Sequence, residues 1–391
     1  MKCAVIIAEY NPFHKGHQWQ IARLREMGFT HIAAVMSGCF VQRGAPAVFH
    51  KADRSRMALL GGVDLIVELP LPYACASAQR FAFGAVALAD ALGCSDALCF
   101  GSECGSLSLL EQTVDILQSP ELRERLTPYL AQGMTFAKAR TLAVEDLSSP
   151  ELAALLQEPN NTLAMEYLLQ LRRLHSTLTP ITLPRKGVSH HEEGAVEGFA
   201  SASHIRSLLF ENRLQEAAEL LPECCAAFEK KLEPIFRNDR ILLSRLRTLS
   251  REQLSHLPDC SEGLENRLYE AIRTSCSMEE IWQNTKSKRY SLARIRRLTM
   301  SAFLGLEDGF HQQFPPYIRI LGFNSAGRQL LAAMRSCAKL PVSGSLADLS
   351  GTSALAADFA ALESRSVDLY NLFESKLKPC GEDFRFSPIR I

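Results

Sequence analysis

The chain has 391 residues, of which 47% are hydrophobic and 22% are charged, with 43 basic and 43 acidic side chains. This composition excludes disordered and fibrous proteins, and the length predicts two domains. No apolar run approaches the roughly 20 residues of a membrane span, and the N-terminus lacks the features of a secretory signal. We therefore expect a cytoplasmic protein with no membrane partner, in which the 12 cysteines are free thiols.

The first half of the chain alternates strands and helices. Apolar runs predict strands over residues 3–8, 31–36, 64–68 and 97–100. Helical spacing of apolar residues predicts helices over residues 17–27, 51–60 and 78–92. Such buried strands, separated by helices, are typical of a parallel sheet covered on both faces, which binds ligands beyond the carboxyl ends of its strands.

The second half is mainly helical. Helices are expected between residues 106 and 170, followed by a strand over 178–183 whose Pro180 indicates a sheet edge. Beyond residue 208 amphipathic helices dominate. We predict an α/β domain over residues 1–208 and a mainly α-helical domain over residues 209–391.

Two histidines follow the first strand, in His14-Lys15-Gly16-His17. Asn11 and Pro12 indicate a turn before them, and helical spacing continues after them. A helix N-terminus attracts anions, and imidazoles three residues apart can reach one phosphate. A solvated helix face and a zinc site are the alternatives, but no third zinc ligand lies nearby. The pattern resembles the signature of the nucleotidyltransferase and class I synthetase superfamily, which opens nucleoside triphosphates at the α-phosphate.

A second phosphate motif is Ser201-x-Ser203-x-x-Arg206. The serines can cap a helix while their hydroxyls face a phosphate, and Arg206 follows one turn after Ser203. A plain helix cap explains the serines alone. The resemblance to the nucleotidyltransferase superfamily implies that this motif, together with the histidine pair, brackets the β- and γ-phosphates of a nucleotide.

Other basic residues follow strand ends in the first 60 residues. Arg43, in a glycine-bracketed loop over residues 38–44, could hold a carboxylate or phosphate, or be a solvated arginine. Lys51 and Arg54 could add positive charge to the same cleft, or one of them could pair with Asp53 or Asp64. The sequence leaves these roles open.

Two polar pairs follow later in the domain. Asn160 and Asn161 begin a helix, where one can cap and the other can bind a base or ribose. Arg185 and Lys186 follow a strand and are candidates for contact with a nucleotide or its phosphates, with an exposed basic loop as the alternative.

Residues 281–300 contain six basic side chains and no acidic one. On one continuous helix, Arg289, Arg296 and Arg297 would share a face opposite Leu292 and Leu298. We predict that this segment contacts RNA, although a solvated face would give the same pattern. The candidate residues are Lys286, Lys288, Arg289, Arg294, Arg296 and Arg297.

Longer motifs resemble a known family along almost the whole chain. They are Tyr10-Asn-Pro-Phe-His-Lys-Gly-His17, Met36-Ser-Gly-Cys-Phe-Val-Gln-Arg-Gly44, Val63-Asp-Leu-Ile-Val-Glu-Leu-Pro70, Phe100-Gly-Ser-Glu103, Pro159-Asn-Asn161, Ser201-Ala-Ser-His-Ile-Arg206, Lys288-Arg-Tyr-Ser-Leu-Ala-Arg-Ile-Arg-Arg297 and Tyr317-Ile-Arg-Ile-Leu-Gly-Phe323. They resemble the bacterial tRNA(Met) cytidine acetate ligases. One departure is Gly187-Val-Ser-His-His191, where the family usually has a Gly-Ala-Tyr-His-like stretch.

The resemblance implies a Rossmann-like, HUP-type nucleotidyltransferase fold and an ATP-dependent ligase. Such an enzyme activates acetate as acetyladenylate, with Mg²⁺ on the pyrophosphate, and acetylates the N4 amine of the wobble cytidine of elongator tRNA(Met). His14 and His17 would be catalytic. The ATP site would comprise Ile7, Ala8, Glu9, Tyr10, Asn11, Pro12, Phe13, His14, Lys15, Gly16, His17, Gln18, Trp19, Gln20, Gly101, Asn160, Asn161, Arg185, Lys186, Ser201, Ser203 and Arg206, with no protein-bound metal.

Two other functions fit parts of the sequence. A small-molecule adenylyltransferase needs the histidine motif but not the basic helical half. A nucleotide-sensing RNA-binding protein with a degenerate site would not need the intact histidine and serine motifs. The oligomeric state stays open.

Overall fold

The computed structural model describes residues 1–185, 195–196, 199–225 and 233–391. The chain forms two compact units, Met1–Ser95 with Lys186–Ile391, and Asp96–Arg185. Within the described part of the chain, none of the helices combines the length and apolarity that a membrane crossing requires.

The first 95 residues form alternating strands and helices. The strands are β1 (Cys3–Ala8), β2 (His31–Ser37), β3 (Phe40–Val41), β4 (Ala45–Pro46) and β5 (Leu65–Leu69). The helices are α1 (Lys15–Glu26), α2 (Lys51–Leu60), α3 (Leu71–Ala74) and α4 (Ala78–Ala91). The apolar runs therefore predicted the long strands to within one residue at each end.

The unit Asp96–Arg185 has two parallel strands and five helices. The strands are β6 (Ala97–Ser102) and β7 (Thr179–Pro184), and the helices are α5 (Leu107–Gln118), α6 (Pro120–Ala131), α7 (Phe136–Leu147), α8 (Pro150–Leu155) and α9 (Pro159–Arg173). Ala97 lies opposite Thr179 in the parallel pair. β7 is the last strand in its sheet, which confirms the edge position indicated by Pro180.

The remainder of the first unit is mainly helical. Its strands are β8 (Ala195–Val196), β9 (Phe199–Ala200), β10 (Ile318–Phe323), β11 (Val342–Ser343) and β12 (Ile389–Arg390). Its α-helices are α10 (Ala202–Phe210), α11 (Leu214–Glu219), α12 (Asp239–Leu246), α13 (Arg251–Ser255), α14 (Leu264–Thr274), α15 (Met278–Thr285), α16 (Leu292–Leu304), α17 (Ser325–Cys337), α18 (Leu346–Ser350), α19 (Ala354–Tyr370) and α20 (Glu382–Arg385). Short 3₁₀ turns cover Glu223–Cys225, Phe310–Gln312 and Asn371–Phe373.

The sheet of the first unit is parallel through β1, β2 and β5. Cys3 lies opposite His31, and Ala33 lies opposite Leu65. β10 then pairs antiparallel with β5, and the short strands β11 and β12 pair with β10. The expected Rossmann-like α/β architecture is confirmed, and the carboxyl ends of β1, β2 and β5 lie at one edge.

β10 is a strand in a region where we expected helices. Its apolar run is short and is interrupted by Arg319, which is nevertheless only 1% exposed. Because β10 pairs with β5, the first compact unit contains residues from both sides of position 208. The assignment of separate functions to residues 1–208 and 209–391 stays a prediction.

The helices between residues 239 and 304 share one apolar core. Leu246, Leu268, Ile281 and Ile295 are fully buried in it. The same cluster includes Phe40 of the β3–β4 hairpin and residues of α19. This helical layer is therefore packed onto the loop that follows β2.

Candidate active site

The two histidines beyond the carboxyl end of β1 are held by backbone N–H groups of their own motif. His14 is the N-cap of α1, and its Nδ1 accepts a hydrogen bond from the backbone N–H of Gly16 at 3.1 Å. His17 Nδ1 accepts from the backbone N–H of His14 at 3.2 Å, and the rings stack with centroids 3.8 Å apart. A neutral imidazole that accepts at Nδ1 carries its proton on Nε2. Each ring in this form therefore carries its proton on Nε2, and the two rings lie side by side at the N-terminus of α1.

Gly16 is required by this arrangement. A Cβ at this position would lie 2.9 Å from Cε1 of His14. Lys15 Nζ donates to the backbone oxygen of Glu219 at 2.6 Å, and Gln18 Nε2 contacts the Cys224 sulfur at 3.7 Å. These two residues of the predicted ATP segment thus connect α1 to residues 219–224.

The turn before the histidines is buried. Tyr10 and Phe13 are at most 1% exposed and pack against the His17 ring, with centroids 4.9 and 5.7 Å away. Asn11 Oδ1 accepts from the backbone N–H of Val48 at 2.8 Å. These side chains hold the motif in place, and their contact with ATP stays a prediction.

The serine motif meets the same turn. Ser201 is the N-cap of α10 and accepts from the His204 backbone N–H at 3.2 Å. Arg206 donates to the backbone oxygen of Asn11 at 2.7 Å and to Ser203 Oγ at 3.2 Å. The structure thus brings the two predicted phosphate motifs together, although they are nearly 200 residues apart in sequence.

Positive charge accumulates at Arg206. Burial, together with the nearby charges of Arg43 and Arg237, lowers the pKa of its guanidinium to about 10, although Glu9 acts in the opposite direction. Sequence analysis missed Arg237, because it lies in an irregular segment without a motif. An anion placed here would relieve the repulsion among the guanidinium groups.

Lys51 and Arg54 do not line an open cleft, and neither pairs with Asp53 or Asp64. Lys51 is fully buried, with Nζ 2.7 Å from Glu68 Oε1 and 2.6 Å from Asp383 Oδ1. Arg54 is also fully buried and donates to the backbone oxygens of residues 9, 37, 38 and 49. Both residues are therefore structural.

Arg319 completes a buried ion-pair cluster with Lys51. It lies 2.9 Å from Glu68 and 2.6 Å from Asp383. The carboxylates of Glu68, Glu363 and Asp383 are close enough together to hold a metal ion. Lys51 and Arg319 already neutralise two of them, and burial, reinforced by Glu68, raises the pKa of Glu363 to about 8. The two ion-paired cations and a proton on Glu363 thus balance the three buried carboxylates without a metal ion.

In the unit Asp96–Arg185, a carboxylate organises the predicted asparagines. Glu103 accepts hydrogen bonds from the backbone N–H groups of Asn160 and Asn161 at 3.1 and 2.7 Å. It therefore supplies the negative charge at the start of α9, where we expected an asparagine to cap. Asn161 Oδ1 accepts from the Cys104 backbone N–H at 3.1 Å.

Arg185 lies beside Asn160. Its guanidinium donates to Asn160 Oδ1 at 2.8 Å, and its Cγ is 3.3 Å from where a Cβ on Gly101 would lie. Gly101, Asn160 and Arg185 thus lie together, and their contact with ATP stays a prediction. Lys186 lies outside the described residues.

Comparison with known proteins gives consistent results over the whole chain. The family model HIGH Nucleotidyl Transferase matches residues 1–383. The tRNA(Met) cytidine acetate ligase of Thermoanaerobacter sp. (strain X514) is 38% identical over 403 residues, covering 99% of both chains. That of Alkaliphilus metalliredigens (strain QYMF) is 37% identical, covering 95% of this chain and 94% of the relative. The chain belongs to the tRNA(Met) cytidine acetate ligase family.

Solved structures agree with this assignment. Thermotoga maritima TmcAL in its apo form matches with a TM-score of 0.93 and 32% identity, covering 100% of both chains. The same protein bound with alpha-thio ATP matches with a TM-score of 0.92. The family membership establishes this chain as an enzyme of the ligase class and confirms its fold.

In this family member, the predicted RNA-binding segment is not one helix. α15 ends at Thr285 and α16 begins at Leu292, with Ser291 as its N-cap. Arg289 therefore lies in the intervening loop and does not share a helix face with Arg296 and Arg297. It lies 3.5 Å from Glu262.

The six basic residues of this segment differ in exposure. Lys286, Lys288 and Arg289 are exposed on the loop. Arg294 donates to the backbone oxygen of Asp259 at 2.7 Å, and Arg296 lies over the Trp282 ring at 4.6 Å. Burial lowers the pKa of Arg297. The loop thus carries the most exposed of the six charges, whereas the helix arginines are partly buried, and contact with RNA stays a prediction.

Proposed function

We propose that this chain activates acetate with ATP and transfers the acetyl group to the N4 amine of the wobble cytidine of elongator tRNA(Met). The observation that carries the proposal is the joining of two phosphate motifs at one turn. Stacked His14 and His17 lie at the N-terminus of α1, and Arg206 donates to the backbone oxygen of Asn11, three residues before His14. Relatives named for this activity cover the whole chain.

The first step joins acetate to the α-phosphate of ATP. A carboxylate oxygen attacks the α-phosphorus, the bond to the bridging oxygen of the β-phosphate breaks, and pyrophosphate leaves with that electron pair. Negative charge accumulates on the α-phosphate oxygens in the transition state. The Nε2–H groups of His14 and His17 are the proposed donors to these oxygens, because their hydrogen bonds strengthen as the charge grows. No side chain forms a covalent intermediate.

The second step transfers the acetyl group. The cytidine N4 amine attacks the carbonyl carbon of acetyladenylate, AMP leaves, and the nitrogen loses a proton. The mixed anhydride is reactive because AMP is a far better leaving group than the oxygen of free acetate. The exposed loop with Lys286, Lys288 and Arg289 is the proposed contact for the tRNA backbone.

Mg²⁺ is proposed to enter with ATP. This ion binds substrate phosphates together with one or two carboxylates and retains several waters. Glu9 is the carboxylate that acts on Arg206, and its Oε1 also accepts from the Gln42 backbone N–H at 2.8 Å. Glu9 is the proposed carboxylate for the hydrated ion, which would neutralise pyrophosphate charge.

Pyrophosphate release tests the proposal. ATP and acetate should give pyrophosphate in the absence of tRNA, and added elongator tRNA(Met) should increase turnover and carry the acetyl group. Acetate-independent transfer of AMP to a small phosphate ester would instead indicate an adenylyltransferase. Binding of ATP and RNA without any pyrophosphate would indicate a nucleotide-sensing RNA-binding protein.

A further inference from the structure

Arg43 lies on the β3–β4 hairpin, which packs closely against α16. β3 and β4 pair with Phe40 opposite Pro46, and the backbone N–H of Gly44 donates to Val41 oxygen at 2.9 Å. Gly44 has φ +72°, and a Cβ there would lie 2.5 Å from the Arg296 backbone carbon. Only glycine allows this turn to rest against α16. The Arg43 backbone therefore has a fixed position although its side chain is exposed.

The hairpin is also fixed on its other flank. Phe40 is fully buried, with its ring 6.0 Å from that of Tyr370. The backbone N–H of Gln42, next to Arg43, donates to Glu9 Oε1. Glu9 directly follows β1 and belongs to the segment that carries the histidines. The hairpin thus connects α16, α19 and the phosphate motifs.

Two guanidinium groups converge on one hydroxyl. Arg43 and Arg206 each donate to Ser203 Oγ at 3.2 Å. Arg237, whose guanidinium lies 4.0 Å from the Phe210 ring centroid, adds a third positive charge that acts on Arg206. Glu9 is the single carboxylate among the charges that act most on Arg206. A ligand with several negative charges balances this cluster better than a monoanion such as acetate does.

We propose that Arg43 is a phosphate-binding residue that, together with Arg206, holds the pyrophosphate as it leaves ATP. The inference rests on the proposed function and assigns the leaving-group subsite. Cleavage of the bond between the α-phosphorus and the bridging oxygen transfers negative charge to the pyrophosphate. The planar guanidinium fork of Arg43 matches two of its oxygens, which a lysine would contact only as a point charge.

Titration of the full-length protein with inorganic pyrophosphate tests this assignment. Arg43→Ala should weaken pyrophosphate binding about tenfold or more, because a hydrogen bond to a charged group is lost. Binding of AMP should stay within about twofold of the original protein, because AMP lacks the phosphates involved. Arg43→Lys should recover part of the loss. Arg328→Ala, an equal change of charge at an exposed position on α17, should leave both affinities unchanged.

Kinetics separate this inference from the proposed function. Arg43→Ala should slow acetate-dependent pyrophosphate release, while transfer from supplied acetyladenylate to tRNA continues at the original rate. Pyrophosphate affinity in Arg43→Ala equal to that of the original protein would overturn the inference, provided that both unfold at the same temperature. If the original protein released no pyrophosphate with acetate, the proposed function would fail even where pyrophosphate binding depends on Arg43.

Discussion

His17 has two separable roles, and two substitutions distinguish them. Its Nδ1 accepts from the His14 backbone N–H and closes a capping box at the start of α1. Its Nε2–H is the proposed donor to the α-phosphate. His17→Ala removes both functions. His17→Asn keeps an acceptor oxygen near the position of Nδ1 and removes the more distant donor.

The two roles predict different magnitudes. Loss of a helix cap costs about 1 kcal/mol of unfolding free energy, so His17→Ala should be less stable by at least that amount. His17→Asn keeps the hydrogen bond but loses the ring that packs against Tyr10 and Phe13, so it should be destabilised less. Loss of a donor to a developing oxyanion slows chemistry about 10²- to 10³-fold. We therefore predict that both variants lose adenylation to this extent, although His17→Ala is destabilised more than His17→Asn.

The assay is acetate-dependent ATP–pyrophosphate exchange, combined with urea unfolding of each variant. Exchange rates measured at saturating ATP distinguish a slower chemical step from weaker nucleotide binding. The role of Nε2–H would be refuted if His17→Asn catalysed exchange within about threefold of the original rate. A missing donor should cause a much larger loss. Equal slowing in a variant of exposed Arg23 on the same helix would show that the effect is not specific to His17.

Three further predictions concern the buried ion-pair cluster and the loop proposed to contact tRNA. Lys51→Met should lower the free energy of unfolding by about 3–5 kcal/mol, because Glu68 and Asp383 lose a buried cation; a loss below about 1 kcal/mol in urea unfolding would contradict the ion-pair assignment. Glu363 holds its proton up to about pH 8 when folded but releases it near pH 4.5 when unfolded, so its contribution to stability falls as pH rises through that window. Glu363→Gln should remove this slope, and unchanged pH dependence would contradict it. Lys288→Ala with Arg289→Ala should weaken tRNA binding and reduce its salt dependence by about one unit per lost phosphate contact, as measured by filter binding against the control Arg335→Ala with Lys339→Ala.

The sequence predicts secondary structure best where the local hydrophobic pattern matches the burial of each residue in the folded chain. β1 and β2 are uninterrupted apolar runs, and nearly all of their residues are buried in a parallel sheet. β10 could not be predicted in the same way, because Arg319 interrupts its pattern. Burial of that arginine is stable because it forms ion pairs with Glu68 and Asp383, which are distant in sequence.

The same limit applies to the candidate site. The histidine and serine motifs were visible because each is a local capping pattern. Glu103 caps α9 from 57 residues away, so no local signal marks it. The break before α16 did have a signal, since Ser291 precedes an apolar helical run and is a favourable N-cap. Arg43 reaches Ser203 across 160 residues, and only the fold joins them.

A single-turnover experiment tests the central claim most directly. The enzyme is mixed with ATP and radiolabelled acetate without tRNA, and the labelled species is identified before and after elongator tRNA(Met) is added. We predict bound acetyladenylate in equal amount to the released pyrophosphate, followed by movement of the label to the wobble cytidine and release of AMP. Label that reaches tRNA without a preceding adenylate, or ADP in place of AMP and pyrophosphate, would contradict the two-step mechanism.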